Sequence, residues 1–186
     1  MIEKIITEAK NAVVAAITGS SDIVAALRDS VTDQVVGAFK SAEAITGGAI
    51  GSVTHIARGA VKGFSSTAVD MTTGAVAVAE SVINGVGKVS GDVLAGTTNA
   101  VRGVIQGISD TGGDVAKIAV SVVDGAISAA KDLGLSTEAA AHSAVLGVIQ
   151  AADEIGGKVG ESMKQALIGS ASIPKDVLKA ALGEKK

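Results

Sequence analysis

Cysteine, tryptophan and tyrosine are absent from the 186 residues, and phenylalanine occurs only as Phe39 and Phe64. The missing thiols exclude a disulfide framework and thiolate metal sites, while leaving the compartment open. The missing aromatics remove the side chains that usually dominate core energetics. Yet 47% of the chain is apolar, against 1% aromatic. Val, Ile, Ala and Gly must therefore build any core, which favours thin interfaces between closely approaching backbones. Proline is limited to Pro174, so nothing interrupts a helix before the tail. No charge-free apolar run approaches the ~18 residues of a membrane-spanning helix; the nearest, Ala44 to Ala57, is rich in Gly, Ser and Thr. The N-terminus carries Glu3 and Glu8 beside its lysines, a poor signal peptide. A cytoplasmic protein, soluble or peripheral to a membrane or inclusion, is expected.

Chemistry-bearing patterns are scarce as well. His55 and His142 occupy different positions of the repeat described below, with no dense carboxylate partner near either in sequence. The string GVGKVSG at Gly85–Gly91 lacks the GxGxxG spacing, follows no strand and has no Gly-Lys-Ser/Thr element. Asp153 and Glu154 are adjacent, so they point around a helix and read as solvated surface. The net charge is −3, with no recurrent basic stripe, which argues against nucleic acid. No enzyme activity, cofactor, metal or small-molecule substrate is expected. Between Ala44 and Lys131 six basic residues balance six acidic ones. Such a lightly charged surface does little to prevent association, and it lacks the Lys/Arg-rich face that anionic headgroups attract.

What the chain does contain is a repeat. Blocks of 22 residues, each of two 11-residue halves, begin at Gly37, Gly59, Ser81, Gly103, Gly125 and Gly147, with a degenerate copy from Ala15 and a truncated one from Gly169. The register divides the chain into a helical start (1–14), the repeat region (15–168) and a short C-terminal helix with a charged tail (169–186). Apolar residues fall at positions 2, 6 and 9 of each half. They give a stripe that includes Val82, Val86, Val93, Val104, Ile108, Val115 and Val122. Eleven residues in three turns are ~3.67 per turn, close to the α-helical ~3.6; a strand would alternate with period two. The fold class is all-α: amphipathic helices from 22-residue repeats, packed as hairpins, a bundle or a right-handed coiled-coil-like assembly.

The 24 glycines oppose this, at roughly 1 kcal/mol each against Ala inside a helix. They fall into two groups. Block positions 1 and 5 form small pairs four apart on one face: Gly59/Gly63 and Gly103/Gly107, with Gly37, Gly85, Gly125/Ala129 and Gly147/Ala151 keeping the pattern. Ala would serve an exposed face better, so a small-xxx-small pattern beside an apolar stripe reads as a close helix-packing interface. The second group marks joints, at Gly91-Asp92, Gly112-Gly113-Asp114, Gly134 before Ser136, and Gly156-Gly157. Gly past a helix end followed by Asp or Ser at an N-cap stops one helix and starts the next. At Thr67–Asp70 the glycine is missing, so a continuous helix is expected there. The predicted arrangement is a few long helices, bent near 134–136. The tail from Ser172 reads as a separate helix, with Ser172 its cap and Pro174 in its first turn.

Residues 59–107, GAVKGFSSTAVDMTTGAVAVAESVINGVGKVSGDVLAGTTNAVRGVIQG, resemble in period and composition the 11-residue helices of synucleins, the repeat region of perilipins and some late-embryogenesis-abundant proteins. The 22-residue unit is similar to that of exchangeable apolipoproteins, without their block-starting prolines. The resemblance implies helices that coat a lipid or other apolar surface. The small pairs and low charge point instead to a non-enzymatic structural protein that self-associates into an oligomer or filament. Its partner would then be itself. The alternatives are a coat on a lipid, membrane or storage-granule surface, and a stress-protective protein that is disordered when dilute.

Overall fold

An amphipathic sequence with side-chain acceptors at 22-residue intervals folds as one short helix per interval. The computed structural model describes residues 2–18, 22–41, 48–89 and 91–183. Among these lie nine helices: α1 (Ile2–Ile17), α2 (Ile23–Lys40), α3 (Gly48–Phe64), α4 (Met71–Lys88), α5 (Val93–Asp110), α6 (Val115–Asp132), α7 (Thr137–Ile155), α8 (Gly157–Gly169) and α9 (Lys175–Leu182). Residues 42–47 of the block that begins at Gly37, and 184–186 of the tail, lie outside the described residues.

Asp70, Asp92, Asp114 and Ser136 each cap a helix by accepting the backbone N–H three residues on, at 3.0, 3.0, 3.2 and 3.2 Å. These acceptors satisfy donors that the first helical turn leaves orphaned. At the other ends, Gly112 and Gly134 take φ of 75° and 89°. The N–H of the residue after each then reaches back five residues, Gly113 to the Ile108 carbonyl at 2.9 Å and Leu135 to that of Ala130 at 3.1 Å. This is the Schellman closure, in which a left-handed residue turns the chain out of the helix.

The expectation of a few long helices is corrected. From α3 to α8 each joint reverses the chain, and the helices run 8–19 residues. The continuous helix expected at Thr67–Asp70 is broken too, with hydroxyls doing what glycine does elsewhere. Ser65, Ser66 and Thr67 donate to the carbonyls of Lys62, Gly63 and Phe64 at 3.0, 3.0 and 2.6 Å, and Asp70 starts α4. The buried Phe64 ring then lies against Gly74, where a β-carbon would collide with it. The cap of α9 is Pro174, not Ser172. The Ser172 hydroxyl is instead bonded to Ser170 and to Asp124, at 2.9 and 3.3 Å.

Packing follows a simple rule. Each helix touches its neighbours in sequence and, from α1·α3 to α7·α9, the helix two along. Odd-numbered helices form one row and even-numbered helices a second. Successive members of a row therefore run parallel and stand two repeats, or 44 residues, apart through α3–α7. The apolar stripes of both rows meet between them. Val53, Ala60 and Val61 of α3, Val78 and Val82 of α4, Val101 and Val104 of α5, and Val122 and Ala126 of α6 are all fully buried there. Two departures from the sequence register appear. The cap of α2, Asp22, lies 48 residues before Asp70, so α1 and α2 are shifted by four. The boundary between residues 14 and 15, read from sequence as the start of the repeat, lies inside α1.

The caps set the joints, so removing one is expected to weaken the stack without changing its topology. Ser136→Ala should cost about 1 kcal/mol, seen as a drop of roughly 2–4 °C in melting temperature with an unchanged far-ultraviolet circular dichroism spectrum at low temperature.

Candidate functional site: the small-residue contacts

The face predicted to pack helices together is the seam between members of one row. A β-carbon on Gly59 would strike the carbonyl of Ile6, and one on Gly103 the carbonyl of Thr54; on Gly147 it would lie 2.5 Å from that of Thr98. Gly63 and Gly107 similarly receive Val13 and Val61, at 2.9 and 2.7 Å from such an atom. In the even row Gly85 receives Val35 of α2 at 2.8 Å and Gly125 receives Val76 of α4 at 2.7 Å. Ala129 and Ala151 are buried. Gly37 differs, with nothing within 4 Å. The block-starting glycines of the odd row, Gly59, Gly103 and Gly147, thus meet backbone, whereas Gly125 in the even row meets a side chain.

The remaining predicted residues fall around this seam. Val82, Val86, Val104, Ile108, Val115 and Val122 lie in the core, and Val93 packs partly buried against it. Gly112, Gly134, Gly156 and Gly157 have positive φ and lie at joints. Gly91 sits between α4 and α5 against Val86 and Phe39, and Gly113 against Ile108. Ser136 caps α7.

Close approach lets side chains reach across it. Thr54 donates to the carbonyl of Asn99 at 3.2 Å and to its Oδ1 at 2.9 Å, and Thr98 donates to the Ser143 carbonyl at 3.0 Å. In the even row Thr32 donates to the Ser81 carbonyl at 3.3 Å. Arg58 holds Asp110 through two bonds, 2.5 and 2.8 Å, joined by Lys62 at 2.7 Å. Arg102 and Gln106 hold Glu154 in the same way one member along, and Arg28 holds Glu80 at 2.5 Å. Burial raises the Asp110 pKa, but the hydrogen bonds from Arg58 and Lys62 outweigh it and keep the carboxyl below its usual range. These residues have a signal in the sequence that a 22-residue alignment averages away: THIARG at Thr54–Gly59 recurs as TNAVRG at Thr98–Gly103, 44 residues on.

Chemically the seam joins helices. Among the described residues no three or more of His, Cys, Asp and Glu are grouped to hold a metal ion, and no helix is long and apolar enough to cross a membrane. His55 is half-buried beside Arg58 and Arg102, with its Nδ1 buried and without a hydrogen-bond partner. Burial first, then the two guanidinium charges, push its pKa below 6.5.

Two outcomes are expected. Gly103→Val drives a side chain into the Thr54 carbonyl and should destabilise the fold by about 1–3 kcal/mol, measured by urea unfolding. His55 binds a proton more readily unfolded than folded, so its contribution is complete above its unfolded pKa of about 6.5 and falls away as the pH drops through that value towards the lower folded one. Melting temperature should therefore decline between about pH 7.5 and about pH 5, and His55→Gln should flatten that slope. Comparison with known proteins gives no matching family, no matching curated protein and no matching solved structure.

Proposed function

We propose that this is a non-enzymatic structural protein that associates with copies of itself, its folded two-row stack serving as the building unit. The observation that carries the reading is the open-ended array: among the described residues no helix packs against another more than two places along the chain. The rows therefore do not close on themselves, and the stack has two unlike ends. Repeat stacks of this kind depend on what covers their terminal repeats.

The small pairs support this reading in a different manner from the one their spacing suggests. Most of them are consumed between helices of one chain, so association falls to surfaces left over at the ends. A coat of lipid or storage granules would need the apolar stripe free, whereas here it lies between the rows. The large apolar residues left exposed, Ile2, Leu133, Val159 and Ile168, are scattered. No cofactor, metal, nucleic acid or small-molecule substrate enters the proposal.

Size-exclusion chromatography with light scattering, paired with circular dichroism, tests it. Full helicity with particles that grow with concentration in plain buffer is the expected result. Helicity that appears only when neutral or anionic vesicles are added would overturn it in favour of a surface coat. A helical particle of one chain at every concentration would overturn it as well.

A further inference from the structure

We infer that copies stack head to tail, the α8–α9 end of one chain seating on the α1–α2 end of the next; this rests on the self-association proposed above. The receiving surface is a seam of the kind that recurs along the stack, left unfilled. Gly37 stands as far beyond its cap, Asp22, as Gly85 stands beyond Asp70. Gly85 receives Val35 from the preceding member of its row, while Gly37 has nothing within 4 Å. One turn earlier Asp33 is exposed on the same side of α2. Between α1 and α2 runs a groove of about 540 Å³, floored by Ala12, Ala16 and Ala26 and edged by Asp29 and Asp33.

Charge and row order select the occupant. Asp29 and Asp33 lie one turn apart, and neither has an ion-pair partner among the described residues. At the other end α9 exposes Lys175 and Lys179, also one turn apart and without an ion-pair partner among the described residues. Residues 157–183 carry four basic against two acidic side chains, in a chain whose net charge is −3. The C-terminal end is thus the positive pole, facing an acidic groove. Row order agrees: after nine alternating helices the next α1 falls in the row that ends in α8 and the next α2 in the row that ends in α9, so α9 meets the face of α2 that carries Asp33 and Gly37. A symmetric pairing of two α1–α2 ends would instead bring four aspartates together, which is unfavourable. A contact between unlike faces does not close on itself when each copy is advanced and half-turned along the stack axis, and it propagates into a filament.

Two end-blocked variants of the full chain test this. Gly37→Trp fills the open seam and blocks the receiving end, and Lys175→Glu with Lys179→Glu blocks the donating end. Sedimentation velocity of wild type should show a concentration-dependent ladder of species. Each variant alone should lose it, with association weakened by about tenfold or more. Each still has one working end, and circular dichroism checks that each is folded. A mixture of the two should therefore form a dimer and nothing larger. Wild type that stays monomeric would remove self-association itself. Wild type that assembles, with variants that assemble equally well or fail to form the mixed dimer, would leave self-association standing and overturn the head-to-tail contact alone.

Discussion

The distance between backbones within a row is the constraint on which the rest of this structure depends. A helix carrying Gly103 or Gly147 at its midpoint gives up roughly 1 kcal/mol of intrinsic stability against alanine. In exchange the neighbouring helix comes near enough for its main chain to touch. At that distance Thr54 and Thr98 bond to carbonyls of the next helix, and Arg58 and Arg102 span to carboxylates. A leucine-rich seam would hold the helices apart and put those bonds out of reach. Gains from dispersion are individually small, and they accumulate only over surfaces that fit this closely. The near absence of aromatic side chains follows from the same geometry, because between such helices a ring has little room. Phe64 is buried at a joint, against the missing side chain of Gly74.

Much of the architecture was legible in the sequence because each level of it has its own residue type. The ~3.6-residue spacing of Val and Ile marks the buried stripe; Asp and Ser at 22-residue intervals mark helix starts; Gly112 and Gly134 mark stops. What escaped has physical reasons. A glycine-based rule misses the end of α3, where Ser65, Ser66 and Thr67 satisfy the terminal carbonyls. Pro174 begins α9 because its fixed φ suits a helix start, while Ser172 is drawn to Asp124. Helix length is not legible in the period, because 11 residues in three turns are equally compatible with one straight helix and with many reversals. Only the joints decide between these, and each joint rests on one or two residues.

The role of the small pairs was harder to read. Their spacing implies a close partner but does not say whether that partner is another chain or another part of the same one. The distinction lies in the period. Partners within a row are 44 residues apart in sequence, twice the repeat, so the complementary features recur in alternate blocks. Thr54 with Arg58, and Thr98 with Arg102, share this longer period, whereas the block between them carries neither pattern. A 22-residue alignment superimposes the two rows and hides the alternation that tells them apart.

The double period also gives the chain an arithmetic of length. Removing or duplicating one block turns every later helix over to the opposite row, where the Arg and Thr side chains face the wrong neighbours. Removing or duplicating two blocks returns each helix to its own row, with its seams intact. Related chains built on this plan would therefore differ in size by steps of a helical hairpin, and a molecule of another length would be expected to keep the same cross-section.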